Sequence, residues 1–179
     1  MSAFVAFLRG INVGGHNVKM DVLRGHFEAA GCARVETFIA SGNVIFESRA
    51  DAGRLEAKIE KQLANALGYE VATFIRERGE VGAAATHAAF PESDIAAAGA
   101  FCVGFLKAPL SAAQQAQLQQ FTTDIDAFAT HGRELYWLCR GRQSDSKFSN
   151  VALERKLAIS ATFRSITTIR KLAEKYPAA

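Results

Sequence analysis

Long apolar runs are missing from this chain. No stretch approaches the roughly 18 apolar residues that a membrane-crossing helix needs, so no spanning helix is expected. The opening, MSAFVAFLRG, lacks the basic leader and long apolar segment of a secretory signal. Cysteine is scarce: Cys32, Cys102 and Cys139 are odd in number and far apart. There is no CxxC, no HExxH and no cluster of histidine with carboxylates. A disulfide framework and a metal centre are therefore not expected. Cys102 and Cys139 lie in the apolar runs AFCVGFL and LYWLC and read as buried free thiols. No cofactor signature is present. Together these absences suggest a cytoplasmic protein with no membrane partner.

What is present is the composition of a folded domain. Of 179 residues, 49% are hydrophobic and 22% charged, enough for one ordinary domain or two small ones. Net charge is only +3, but it is uneven. Residues 1–49 carry five bases against four acids, 50–130 six against ten, and 131–179 ten against four. The basic C-terminal third can attract anions, nucleic acid included. A solvated charged surface explains the same distribution.

Periodicity suggests a first half of strand, helix, strand, strand, helix, strand. The strands are expected at Ala3–Arg9, Val35–Ala40, Val44–Glu47 and Glu70–Arg78. One helix should start at an Asp21 cap and end at Gly31; another should run from an Asp51 cap to Gly68. A short helix over Glu80–Ala89 leads into a connector at Phe90-Pro91. The second half predicts a strand at Ala100–Lys107 and a helix opened by a Ser111–Gln114 capping box. A hairpin of Ile125–Ala129 and Glu134–Cys139 follows, then a helix over Ser146–Ile159 and a last helix with Ile166, Ile169, Leu172 and Tyr176 on one face. The fold class is thus α+β, with two ferredoxin-like (α/β-plait) subdomains. The first, residues 1–98 with its connector, is βαββαβ. The second, residues 99–179, is a variant βαββα plus a C-terminal helix. No residue-level repeat is evident.

The stretch LRGINVGGHNVKM, residues 8–20, stands out. In a plait of strand order 4-1-3-2, the end of strand one at Arg9-Gly10 meets the start of strand three at Asn43. The loops RGINVGG and SGN then share one sheet edge. Gly10, Gly14 and Gly15 permit positive φ and close ligand approach. Successive amides there can form an anion-binding nest beside a helix N-terminus. Arg9 and Lys19 can supply charge; Asn12, Asn17, Ser41, Gly42 and Asn43 can supply hydrogen bonds and close backbone approach. The spacing matches neither GxxxxGK[ST] nor GxGxxG. Plain turns account for the same residues.

RGINVGG (Arg9–Gly15) with Lys19, ASGNVIF (residues 40–46), ERKL (Glu154–Leu157) and Thr162-Phe163-Arg164 together resemble domain-of-unknown-function family 1697. The resemblance spans essentially the whole chain. It implies a bacterial cytosolic protein built of α/β plaits and supplies no reaction. Family members often carry Arg-Asn-Trp after the late threonine. Here Arg164 is followed by Ser165 and Ile166, so no role of that Asn-Trp pair carries over.

Secondary candidates lie in SDSKFSNVALERKL. Lys147, Asn150 and Glu154 would share one helix face at i, i+3, i+7, with Arg155 and Arg164 as added cations. An ordinary helix start with a solvated face explains the same residues and is the favoured reading. His16 in the loop can act as acid or base, though no acidic partner is evident in the sequence. Asp124 and Asp126 would share one strand face, a weak metal signal. Phe4, Phe7, Phe38, Phe46, Phe101 and Phe105 should be core, or a base-stacking platform if one sheet face is open. Three functions follow as expectations: a binder of a small anionic, phosphate-bearing ligand; an RNA-binding protein; and an enzyme on a phosphorylated or nucleotide substrate. The oligomeric state is not legible.

Overall fold

A computed structural model describes residues 1–39 and 42–179. Ala40 and Ser41, an expected strand end and an expected site residue, lie outside the described residues. The chain divides into two compact units, Met1–Gly82 with Leu172–Ala179, and Ala83–Lys171.

The first unit opens with β1 (Ser2–Leu8). Helix α1 (Met20–Ala29) follows, then β2 (Ala33–Thr37) and β3 (Asn43–Ser48). Helix α2 (Ala52–Leu67) precedes β4 (Thr73–Glu77). The strands form one antiparallel sheet of order β2-β3-β1-β4, as expected for a plait. Local signals place α2. The Asp51 side chain accepts from Arg54 N at 3.0 Å, and Gly68 ends the helix at φ +79°. The expected Asp21 cap is a correction: Lys19 holds the cap position with no side-chain bond, and Asp21 accepts from Val22 N within the first turn. Alternation along β1 sends Phe4, Ala6 and Leu8 against Phe27, Leu55 and Ile59 in one core. Each fully buried Leu, Ile or Phe among them contributes about 1.5–3 kcal/mol.

Helix α3 (Arg78–Thr86) continues directly from β4, and α4 (Glu92–Ala97) occupies the connector, where no helix was expected.

The second unit repeats the plan. Its elements are β5 (Ala100–Leu106), α5 (Ala112–Gln119), β6 (Asp126–His131), β7 (Glu134–Cys139), α6 (Asn150–Leu157) and β8 (Ala161–Ser165); α7 (Ile166–Lys175) follows, its residues from Leu172 onward belonging to the first unit. The Ser111–Gln114 capping box forms as its sequence predicts. Strand order is β6-β7-β5-β8, the same as in the first sheet. The expected βαββα variant is therefore completed by a fourth strand, β8, which the sequence pattern did not separate from the helices around it.

Register also exposes a residue-level repeat. Val5 faces Arg76 across β1 and β4, and Val103 faces Arg164 across β5 and β8. Around them, Val5-Ala6-Phe7-Leu8 corresponds to Val103-Gly104-Phe105-Leu106. Gly104 lacks a side chain where a Cβ would sit 2.7 Å from the Phe163 ring. A helix also guards one edge strand of each sheet, β4 in the first and β8 in the second. Glu60 and Glu56 of α2 accept from Thr73 N and Ile75 N, both at 2.8 Å. In the second unit Glu154 accepts from Ala161 N at 3.1 Å, and Asn150 Nδ2 donates to Ala161 O at 2.8 Å. Edge groups that would otherwise pair with another chain are satisfied internally.

Candidate functional site

Strand β1 delivers the glycine loop to the sheet edge foreseen for it. Leu8 N donates to Gly42 O, and Arg9 N to Ala72 O, each at 2.9 Å. The first bond ties the loop to the start of β3; the second ties it to the approach to β4. Gly42 has φ +80°, and a Cβ on it would lie 2.5 Å from Ile11 Cγ2. Only glycine allows Ile11 to seat there.

The loop is pinned at two points. Ile11 and Val18 are buried in the core of the first unit. Between them Asn12, at φ +58°, accepts from Val18 N through Oδ1 at 2.6 Å. His16 N donates to Val13 O at 3.1 Å, closing a turn over Gly14 and Gly15, whose φ values are +61° and +87°. Those values suit a type I′ turn. Val13 to Asn17 and Lys19 remain exposed.

A contact the sequence did not suggest supports the loop. The His16 ring stacks on Tyr69 with centroids 3.8 Å apart and planes at 26°. Tyr69 belongs to the connector between α2 and β4. Its hydroxyl oxygen is buried and has no hydrogen-bond partner among the described residues. An unmet buried hydroxyl costs about 1–3 kcal/mol, so the position calls for an explanation. The aromatic directly after the Gly68 stop was the one available signal.

Of the expected site residues, Arg9, Gly10, Asn12, Gly14, Gly15, Asn17, Lys19, Gly42 and Asn43 lie in these two joined loops. Their tasks differ. Asn43 is fully buried, and its Nδ2 donates to Phe38 O at 3.0 Å, holding the turn into β3. Asn12 likewise serves the loop's own shape. Ser41 lies outside the described residues.

The secondary set does not assemble as expected. Helix α6 begins at Asn150, capped by Ser149, whose Oγ accepts from Ala152 N. Lys147 therefore precedes the helix and shares no helix face with Asn150 and Glu154; this is a correction. Asn150 and Glu154 both bind the backbone of Ala161. Arg155 is exposed in the last turn of α6. Arg164 is buried on β8, donating to Thr162 Oγ1 at 2.8 Å and Phe163 O at 2.9 Å. Burial lowers its pKa to about 10.

The Asp124–Asp126 reading is also corrected. Asp124 is exposed ahead of β6, and buried Asp126 is engaged by Trp137, Ser146 and Thr123. No group of three or more potential metal ligands occurs among the described residues. All three cysteines are free and buried, and burial pushes Cys32 and Cys102 up to about 11. Phe4, Phe7, Phe46, Phe101 and Phe105 are buried, so these strand phenylalanines offer no open stacking surface. Among the described residues, no helix is long and apolar enough to cross a membrane.

These features define an α+β protein of two four-stranded plait sheets, with a glycine-rich loop at one sheet edge. The chain belongs to the family described as "Protein of unknown function (DUF1697)", whose model matches residues 1–136. A conserved bacterial protein of solved structure from Streptococcus pneumoniae shares the fold. The TM-score is 0.79 at 21% identity, and the similarity covers 98% of each chain. No curated protein matches the chain.

Proposed function

We propose that this protein binds a small anionic, phosphate-bearing ligand where the 9–19 loop meets Gly42. The observation that carries this reading is Tyr69. Among the described residues its buried hydroxyl lacks a partner, while its ring stacks on His16 of the exposed loop. Gly14 and Gly15 hold the left-handed backbone from which successive amides form anion nests. Helix α1 starts at the same loop without a side-chain cap, leaving its positive end for a ligand. Arg9 and Lys19 add charge. Asn12, Gly42 and Asn43 shape the site, and Asn17 and His16 face solvent beside it. An enzyme acting on such a ligand would use the same loop.

The second reading is RNA binding by the basic C-terminal third. It is favoured by exposed Arg155, Lys156, Arg170 and Lys171. The buried strand phenylalanines count against the sheet-stacking form of it.

The test is a thermal-shift screen of nucleotides, sugar phosphates and short RNA at two salt concentrations. A ligand of the folded state raises the melting point. A small-molecule shift that Lys19→Ala and Tyr69→Phe both weaken supports the proposal. Tyr69→Phe should leave the unliganded protein at least as stable, because it deletes an unmet polar group. An equal shift in both variants defeats the proposal. A shift by RNA alone, lost at high salt, transfers the argument to the C-terminal third.

A further inference from the structure

The opposite edge of the first sheet holds a second basic feature. There the register pairs Ser2 with Ser48, at the far end of β1 from Gly42. A cavity of about 560 Å³ opens beside the end of α1, the turn after β3 and the first turns of α2. Arg49, Arg54 and Lys58 line it together with apolar Ala30 and Leu55, and no carboxylate is among its lining residues.

Asp51, just before α2, pairs with Arg54 Nε through Oδ2 at 3.3 Å. Both side chains of that pair are mostly exposed, so it holds Arg54 weakly. Asp51 also caps α2 through Arg54 N. The helix terminus is thus already served by its own carboxylate, and any anion affinity must come from the side chains. Lys58 Nζ lies beside Gly31 at the end of α1, at ordinary contact distance, 3.5 Å, from where a Cβ would sit. The same charge acts on the nearby Cys32 thiol.

We propose that this cavity is a site for a small phosphomonoester, separate from the glycine loop. Arg49 and Lys58 take the phosphate, Arg54 joins them by leaving Asp51, and the exposed Met1 and Ala50 side chains meet the organic body. The planar guanidinium matches two phosphate oxygens, and the ammonium adds a point charge. The volume lies within the range of small-molecule pockets, roughly 300–1,000 Å³.

Calorimetric titration of the full chain with phenyl phosphate tests this, with inorganic phosphate as the body-free comparison. Phenyl phosphate should saturate with a Kd of about 1 mM or tighter. The double variant Arg49→Gln/Lys58→Gln should weaken it about tenfold or more. Arg34→Gln, which removes an exposed cation paired with Glu47, should not. Lys19→Ala in the glycine loop should also leave it unchanged. Inorganic phosphate should bind more weakly, because it lacks the body that meets Met1 and Ala50. Absence of saturable binding, or equal binding by the double variant, overturns the proposal. So does a loss on Lys19→Ala alone, which would assign the binding to the glycine loop. All variants alter exposed side chains, and their urea midpoints confirm that each is folded.

Discussion

Trp137 on β7 donates from Nε1 to Asp126 Oδ1 on β6 at 2.8 Å, and both residues are buried. The register places Asp126 opposite Cys139 and Phe128 opposite Trp137, so the pair is a diagonal cross-strand contact. Ser146 Oγ donates to the same carboxylate oxygen at 2.8 Å, and Thr123 Oγ1 to the other at 3.1 Å. The carboxylate organises three segments of the second unit. Its apparent pairing with Asp124 in the sequence has no counterpart in space.

Removing that carboxylate leaves an indole N–H and hydroxyls unmet. Asp126→Ala should cost about 2–3 kcal/mol, the scale of hydrogen bonds to a charged group. Asp126→Asn, which keeps an acceptor, should cost less. Trp137 is the only tryptophan, so its fluorescence in urea unfolding follows this site directly. A loss below about 0.5 kcal/mol for Asp126→Ala would show that the network contributes little.

Gly42 and Gly14 both have positive φ but differ in surroundings. A Cβ at Gly42 would meet Ile11 at 2.5 Å and Leu8 at 3.1 Å; one at Gly14 meets nothing within 4 Å. Gly14→Ala should therefore cost only the left-handed conformation, about 1–2 kcal/mol. Gly42→Ala adds overpacking, about a further 1–3 kcal/mol. Denaturant unfolding of the two variants side by side checks the order. Equal losses would mean that Ile11 yields freely.

His87 supplies the pH dependence. Its ring stacks on His131 at 4.2 Å and lies 5.1 Å from the Tyr136 ring. Burial first, then the neighbouring imidazole, lowers its pKa below 6.5, while Glu134 opposes them. The unfolded chain therefore binds a proton more readily than the native one. The contribution of His87 is fully present above pH 6.5 and fades as the pH falls through the lowered native value. Stability of the wild type should fall on acidification through this window, and His87→Gln should flatten that fall. Superimposable pH profiles for the two proteins would show that His87 does not couple folding to protons.

Local chemistry was legible wherever a few neighbouring residues decide the outcome. Asp51 and Gly68 bound α2, and Ser111 with Gln114 opens α5, because caps are satisfied within one turn. The same locality misled at Asp21, which bonds its own neighbour while Lys19 takes the cap. Ser146 looked like a helix start, but it is drawn to Asp126, twenty residues away in sequence, and the helix waits for Ser149. Strand β8 was not legible because ATFRS has no alternation strong enough to separate it from the helices on either side. Pairing with β5 makes it a strand.

The sequence by itself determined the elements and strand order of the first plait, most elements of the second, the buried thiols and the meeting of the glycine loop with the start of β3. Each follows from periodicity, capping or chain connectivity, which act over short distances or through topology. Only the tertiary structure decided which polar residues serve the fold and which remain exposed. Asn12, Asn43, Asn150 and Glu154 look like ligand donors in sequence, yet they satisfy backbone groups that folding would otherwise leave unmet. Tyr69, unremarked in sequence, keeps an unmet hydroxyl beside the loop. Partners for buried polar groups come from whatever packing brings near, and no local pattern encodes that.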